Sequence, residues 1–206
     1  VTLSKTNGHA VLRFANADIL PYRFSDMADH IHTYMQQIID QSNSMRKETE
    51  FAQKLHQKNA YVLAADPTKT YHAPQIQEKV PHLNFAPLQN AVDHLKEAAH
   101  AYNQAFSRQM EQGVTLSQSQ LRTVNKLLQS SEQQLTDEGG LPRRPWFKHQ
   151  IYAPGFYTGY GVKTLPGVRE AVEQRNWQEV SQEMLTTADA INRYANHIEK
   201  ITDVME

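Results

Sequence analysis

The sequence has no cysteine among its 206 residues, which excludes disulfide bridges, thiolate zinc sites and a cysteine nucleophile. It also lacks an excess of either charge, because 21 Lys and Arg residues oppose 22 Asp and Glu residues. A nearly neutral chain has no net field to hold a nucleic-acid backbone or an anionic membrane surface, so neither partner is expected. No run approaches the roughly 18 apolar residues that a membrane-spanning helix needs.

The short motifs of common catalytic sites are missing as well. The chain contains no HExxH, no GxSxG and no GxxxxGK, which are the patterns typical of helical zinc sites, serine hydrolases and phosphate-binding loops. Ten histidines are present, but His30 and His32 are two residues apart and point to different sides of a helix. Asp26 and His30 share a helix face, which is more typical of a surface pair. We therefore expect neither metal ligands nor catalytic residues in this chain.

Apolar residues recur at helical spacing from the N-terminus onward. Ser4 is suited to cap a short helix over residues 5–17, and a longer helix is expected after Ser25 to about Lys58, with a candidate break near Ser42. From Ala65 to Pro87 the chain carries four prolines. Each proline removes a backbone donor and disfavours helix at the residue before it, so this segment is predicted to be a long connection.

The clearest helical pattern follows that connection. Gly113 is placed to end this third helix. Ser117, with Gln120 three residues later, resembles a capping box for a fourth helix, which carries Leu135 and stops at Gly139. The apolar stripe of the third helix consists of Leu88, Ala91, Val92, Leu95, Ala98, Ala99, Tyr102, Ala105 and Phe106.

The last helical stretch has an apolar stripe that serves either as bundle core or as a surface for another subunit, and its spacing does not separate the two roles. Four amphipathic helices with one long crossover connection predict an all-α fold, a four-helix bundle. The stripe consists of Trp177, Val180, Met184, Ile191 and Ile198.

Residues 141–167, before the last helices, contain four prolines and many aromatic side chains. Such a stretch cannot form a regular helix, and it is too apolar for a solvated linker, so an ordered loop is expected. Arg143, Arg144 and Lys148 in this loop could meet an acidic group from outside. Cations beside prolines and aromatics are, however, more typical of stacking and pairing within the loop.

Within this loop, residues 140–161 read GLPRRPWFKHQIYAPGFYTGYG, which resembles the corresponding stretch of the glutamate carboxypeptidase and transferrin receptor family. Residues 11–23, VLRFANADILPYR, are similar to that family's transition from its peptidase domain into its C-terminal helices. The resemblance implies that residues 1–24 are the tail of a peptidase domain or a connecting helix. Residues 25–206 would then form the transferrin-receptor-like dimerisation domain, and the start at Val1 suggests a fragment.

The resemblance also implies a function. The chain would mediate homodimerisation, contact the peptidase domain of the same chain, and catalyse nothing alone. Two zinc ions are expected in that missing peptidase domain and none in this fragment. The parent would be a zinc-dependent carboxypeptidase or aminopeptidase on the lumenal or extracellular side of a single-pass membrane protein. The alternative parent is a transferrin-receptor-like receptor or sorting protein that has lost its metal ligands.

The family's loop after the IYAP block reaches into the substrate cleft, where a Lys-Tyr pair binds the C-terminal glutamate side of the substrate. Counting from Ile151 without gaps places Tyr160 on the tyrosine and Gly159 on the lysine. The resemblance thus implies substrate-binding positions at Tyr160, Gly159 and Tyr152, with a carboxylate-binding role for Tyr160. Because glycine offers no cation, we expect a weaker preference for glutamate, unless the nearby Lys163 substitutes.

Overall fold

The computed structural model describes residues 2–71 and 74–206, and helices dominate it. These residues form seven α-helices, one 3-10 helix and one two-stranded antiparallel hairpin, so the predicted all-α bundle is confirmed. In chain order the elements are α1 (Thr2–Ala15), α2 (Phe24–Gln57), α3 (Ala60–Leu63), α4 (Ala86–Gln112), α5 (Gln118–Gln129), the 3-10 helix (Glu132–Leu135), β1 (Tyr152–Pro154), β2 (Val162–Thr164), α6 (Pro166–Glu173) and α7 (Trp177–Met205).

Helices α2, α4, α5 and α7 form the bundle. The most extensive packing is between α4 and α7, and α2 also packs against α4. The 3-10 helix, α5 and α6 all pack on α7. Because α6 follows the hairpin directly and also contacts α2, it joins the hairpin to the body of the bundle.

The stripe predicted for the third helix lies inside the bundle on α4, where only Phe106 is partly buried. At its centre the ring of Tyr102 meets Phe24 edge to face with centroids 4.7 Å apart, and Phe24 meets Tyr194 of α7 in the same way at 5.7 Å. Such edge-to-face pairs add to the free energy gained by burying the rings. Gly113 ends the helix with φ of +72°, as predicted.

The apolar stripe of α7 also faces the interior of its own chain. Val180, Met184, Ile191 and Ile198 are buried in the core, and Trp177 is partly buried against it. Burial of these side chains by α4, α5 and α6 leaves little of this stripe on the surface. A partner subunit would therefore have to contact other side chains.

Helix α1 differs from its prediction in both bounds and surroundings. It begins at Thr2, so Ser4 lies inside the helix, and none of its residues is buried. Val11, Leu12 and Phe14 remain 49–66% exposed. The helix ends at Ala15, and the chain first enters the core at Ile19. Its apolar side chains therefore have no core to pack on within the described residues.

Helix α2 is continuous, so the candidate break near Ser42 was wrong. The side chain of Ser42 is buried, and its hydroxyl donates to the carbonyl oxygen of Ile39 at 3.2 Å. This bond satisfies the hydroxyl inside the helix, where it needs no kink. The helix begins at Phe24, earlier than the start expected after Ser25, and Ser25 Oγ accepts a bond from Asn103 of α4.

The capping box of α5 is present as predicted: Ser117 Oγ accepts from the Gln120 amide, and the Gln120 side chain accepts from the Ser117 amide. The helix ends earlier than predicted, however, before it reaches Leu135. The hydroxyl of Ser131 donates to the Leu127 carbonyl at 3.1 Å, and the chain tightens into the 3-10 helix. This tighter turn brings Leu135 into the core.

The connection predicted from Ala65 to Pro87 has no helix in its described part until α4 begins at Ala86. Residues 72 and 73 lie outside the described residues. Towards its end the connection returns to the bundle, because Val80, Leu83 and Phe85 are buried.

Candidate functional site: the hairpin of residues 152–164

The loop that the sequence predicts as ordered contains a short hairpin. Its strands pair Tyr152 with Thr164, Ala153 with Lys163 and Pro154 with Val162. Below them, the amide of Leu165 donates to the carbonyl of Ile151 at 2.7 Å, and both of these side chains are fully buried. The hairpin therefore stands on a base that is anchored in the core.

Residues 156–160, which we call the tip, project from the strands. The amide of Gly155 donates to the carbonyl of Gly161 at 2.9 Å and closes the base of the tip. Gly159 has a φ of +59°, a conformation that glycine adopts without strain. Tyr160 is fully exposed and Tyr157 is 77% exposed, so both phenol groups are free to contact a molecule outside the described residues.

Tyr152 lies at the base of the hairpin, away from the tip, and its hydroxyl is already engaged. It donates to Glu132, and this bond is the main reason that the pKa of Tyr152 is raised to about 12. Its ring stacks on His149 at 4.0 Å. Burial lowers the pKa of His149, and His149 Nδ1 accepts bonds from two backbone amides. The three sequence-derived positions thus divide, with Gly159 and Tyr160 together at the tip and Tyr152 apart from them.

The side-chain cations of residues 141–167, all of which the structure describes, are paired with carboxylates of the same chain. Lys163, the candidate replacement for the cation absent at Gly159, contacts Glu173 of α6 at 2.6 Å. The tip therefore presents tyrosine hydroxyls and no positive charge from this segment. The four pairs are Arg143 with Glu179, Arg144 with Glu170, Lys148 with Glu138, and Lys163 with Glu173.

Glu170 was not among the site residues predicted from the sequence. It lies under the hairpin, and its side chain is only 6% exposed. The available signal was an acidic residue on an otherwise apolar face of α6, where Val168, Ala171 and Val172 are also buried. Helical spacing can identify an acidic residue on an apolar face. It does not predict the residue that pairs with it, which is Arg144, 26 residues earlier in the chain.

In residues 2–71 and 74–206, no group of three or more His, Asp or Glu side chains is placed to hold a metal ion. His30 and Asp26 do meet, but His30 Nδ1 lies 2.5 Å from the backbone carbonyl of Asp26 and not from its carboxylate. Over the same residues, no helix has the length and apolarity needed to cross a membrane.

The model of the transferrin receptor-like dimerisation domain family matches residues 83–199. This match covers more than half of the chain. It runs from just before α4 into α7 and includes the hairpin. The chain belongs to this family. The family assignment made from the IYAP block is thereby confirmed.

Two relatives of this chain are named probable glutamate carboxypeptidases. The chain is 37% identical over 87 residues to a probable glutamate carboxypeptidase, LAMP1, of Arabidopsis thaliana, and this match covers 39% of the chain. It is 31% identical over 99 residues to a probable glutamate carboxypeptidase of Arthroderma benhamiae, covering 48% of this chain. Each match spans 13% of the relative's length. The dimerisation domain is thus similar to one part of these proteins.

Proposed function

We propose that this domain pairs two copies of a glutamate carboxypeptidase-like protein and that its hairpin forms one wall of that protein's substrate pocket. The pairing role is carried by the family match over residues 83–199. On this proposal the domain catalyses nothing alone, and the peptidase domain of the same protein holds two zinc ions and carries the chemistry.

The surface used for pairing would lie outside the α7 stripe, because that stripe is buried within the domain's own core. A stable two-fold interface buries more than about 1,000 Å² in total and includes apolar side chains. Large exposed apolar residues in the matched region, outside the hairpin of residues 152–164, are the candidates for its centre. They are Met110, Trp146 and Leu185.

Sedimentation velocity at micromolar concentration tests the pairing role. We expect the domain to sediment as a dimer, and replacing Leu185 with Glu and Trp146 with Glu in separate variants to identify the face that pairs. A domain that stays monomeric at all concentrations, while the full-length protein is also monomeric, would contradict the proposal.

The pocket-wall role is supported by the geometry of Tyr160. Its hydroxyl is fully exposed at the end of a hairpin whose base is buried, so it is held away from its own chain and is available to a substrate. A hydroxyl that donates to a carboxylate contributes about 1.5–3 kcal/mol. The C-terminal carboxylate of a peptide is the chemical group that such a donor fits.

Replacing Tyr160 with Phe in the full-length protein tests this role. Loss of the hydroxyl should raise KM roughly ten- to a hundredfold, as expected for the loss of a hydrogen bond to a charged group. Tyr157→Phe is the matched control, because it removes a second exposed hydroxyl from the same tip and should leave KM unchanged. If Tyr160→Phe leaves KM unchanged as well, Tyr160 is not in the pocket.

The class of the parent protein is tested by its metal content and activity. A full-length protein that binds two zinc ions per protomer and hydrolyses C-terminally unblocked peptides fits the proposal. Its expected place is the lumenal or extracellular side of a membrane, which surface labelling of intact cells would test. A protein with neither zinc nor hydrolysis fits the alternative of a receptor or sorting protein.

A further inference from the structure

Beneath the tip lies a buried ion pair between two residues that are 26 positions apart in the chain. Arg144 comes from the turn before the hairpin and Glu170 comes from α6 after it, and their side chains are only 4% and 6% exposed. The other three ion pairs of residues 141–167 are more exposed than this one. Arg144–Glu170 is thus the most buried of the four ion pairs of this segment.

Both side chains of the pair form hydrogen bonds with the backbone where β1 ends. One terminal nitrogen of Arg144 donates to Glu170 Oε2, and the other donates to the carbonyl oxygen of Pro154, both at 2.5 Å. The second carboxylate oxygen of Glu170 accepts the amide of Phe156 at 2.8 Å. One ion pair thus holds the peptide groups on both sides of Gly155, through Arg144 on the first and Glu170 on the second. The tip begins at the second of these peptide groups.

The aromatic rings around the guanidinium support the same arrangement. Its central carbon lies 5.7 Å from the ring centroid of Phe156, the first residue of the tip, and 5.8 Å from that of Phe147. A guanidinium in this position attracts the ring face. At the start of the tip, the backbone amide of Phe156 is therefore bound by Glu170 and its ring by Arg144.

A role in stability alone accounts poorly for this pair, because desolvation of two charges offsets most of their attraction. What this buried pair supplies is fixed geometry, because the planar guanidinium and the carboxylate each also bind a backbone group. We propose that Arg144 and Glu170 are positioning residues that set the direction in which the tip leaves the bundle, and so place the hydroxyl of Tyr160. The consequence for substrate binding rests on the proposed function, whereas the consequence for the tip does not.

The direction of the tip can be measured without any activity. Because the domain has no cysteine, Tyr157→Cys provides a single attachment point for a nitroxide spin label on the tip. We expect Arg144→Lys, which loses the planar fork, and Glu170→Gln, which keeps the shape but loses the charge, to increase the mobility of this label. Helical circular dichroism and thermal midpoints would show that both variants are folded.

Arg108→Lys is the matched control. Arg108 also pairs with a carboxylate, the side chain of Glu206, at 2.6 Å. Its replacement should leave the mobility of the spin label unchanged. Equal mobility of the label in folded Arg144→Lys, folded Glu170→Gln and the unsubstituted domain would overturn the inference.

Kinetics of the full-length protein separate positioning from general damage. Arg144→Lys should raise KM while kcat stays within about twofold, and its effect should be less than additive with that of Tyr160→Phe. Fully additive effects would overturn the inference. A mobile tip combined with a KM that neither Arg144→Lys nor Tyr160→Phe alters would contradict the pocket-wall function and support the positioning of the tip.

Discussion

The carboxylate of Glu183, on α7, packs directly against the backbone of Gly167 in the first turn of α6. A methyl group added at residue 167 would overlap with Glu183 Oε2. Both residues are buried, and Oε2 has no hydrogen-bond partner among the described residues. The close approach of α6 to α7 therefore depends on the absence of a side chain at Gly167, and it confines an acidic group in an apolar setting.

Gly167→Ala should lower the free energy of unfolding by about 1–3 kcal/mol, because overpacking in a tight site forces neighbouring atoms to move. Urea denaturation would measure the loss. Gly8→Ala in α1 is the control, since a methyl group there meets nothing within 4 Å and alanine favours helix by about 1 kcal/mol. Unchanged stability of Gly167→Ala would show that the Glu183 side chain or α6 moves aside at little cost.

Burial raises the pKa of Glu183 to about 7 from an ordinary value of 4.5. The folded state thus favours the neutral acid, so the contribution of Glu183 to stability is present below pH 4.5 and is lost as the pH rises through about 7. The loss should be of order 3 kcal/mol. In Glu183→Gln this titration disappears, and urea midpoints at pH 5 and pH 8 would show a smaller difference than in the unsubstituted domain. Parallel pH curves for the two proteins would contradict the assignment.

His94 links α4 to α7 and should also respond to pH. Burial lowers its pKa, but hydrogen bonds to Asn192 at 3.1 Å and Glu199 at 3.0 Å outweigh burial, and the pKa of His94 is raised. Its stabilising effect is therefore present below the ordinary pKa of histidine and is lost as the pH rises through the raised value. We expect His94→Gln to cost more stability at pH 5.5 than at pH 8.5, measured by thermal unfolding. An equal cost at both pH values would exclude a charged His94.

Substrate preference of the full-length protein should reflect the missing cation at Gly159. With Lys163 bound to Glu173, we expect similar kcat/KM for dipeptides ending in Glu and in Leu. Gly159→Lys should raise the preference for Glu, although the positive φ costs a lysine about 1–2 kcal/mol. Tyr157→Lys supplies the same charge two residues away and is the control. A strong preference for Glu before any substitution would refute the expectation.

Local patterns predicted the parts of the fold that depend on neighbours in sequence. The capping box of Ser117 and Gln120 was found because both of its bonds span three residues. The end of α5 was not, because it depends on the Ser131 hydroxyl and on the place that the core offers to Leu135. The apolar residues of α1 were likewise recognised, but spacing does not reveal that they remain exposed.

For the candidate site, the count from the IYAP block named Gly159 and Tyr160 without any structure, but it also named Tyr152, which lies at the base of the hairpin. The helical stripes were determined by the sequence itself, through the 3.6-residue period of the backbone. Only the tertiary structure decided that the α7 stripe is core, that Lys163 is paired with Glu173, and that Arg144 reaches Glu170 beneath the tip. Each of these depends on which side chains the packing brings within about 3 Å of one another, and the distance between charged groups along the chain carries no such information.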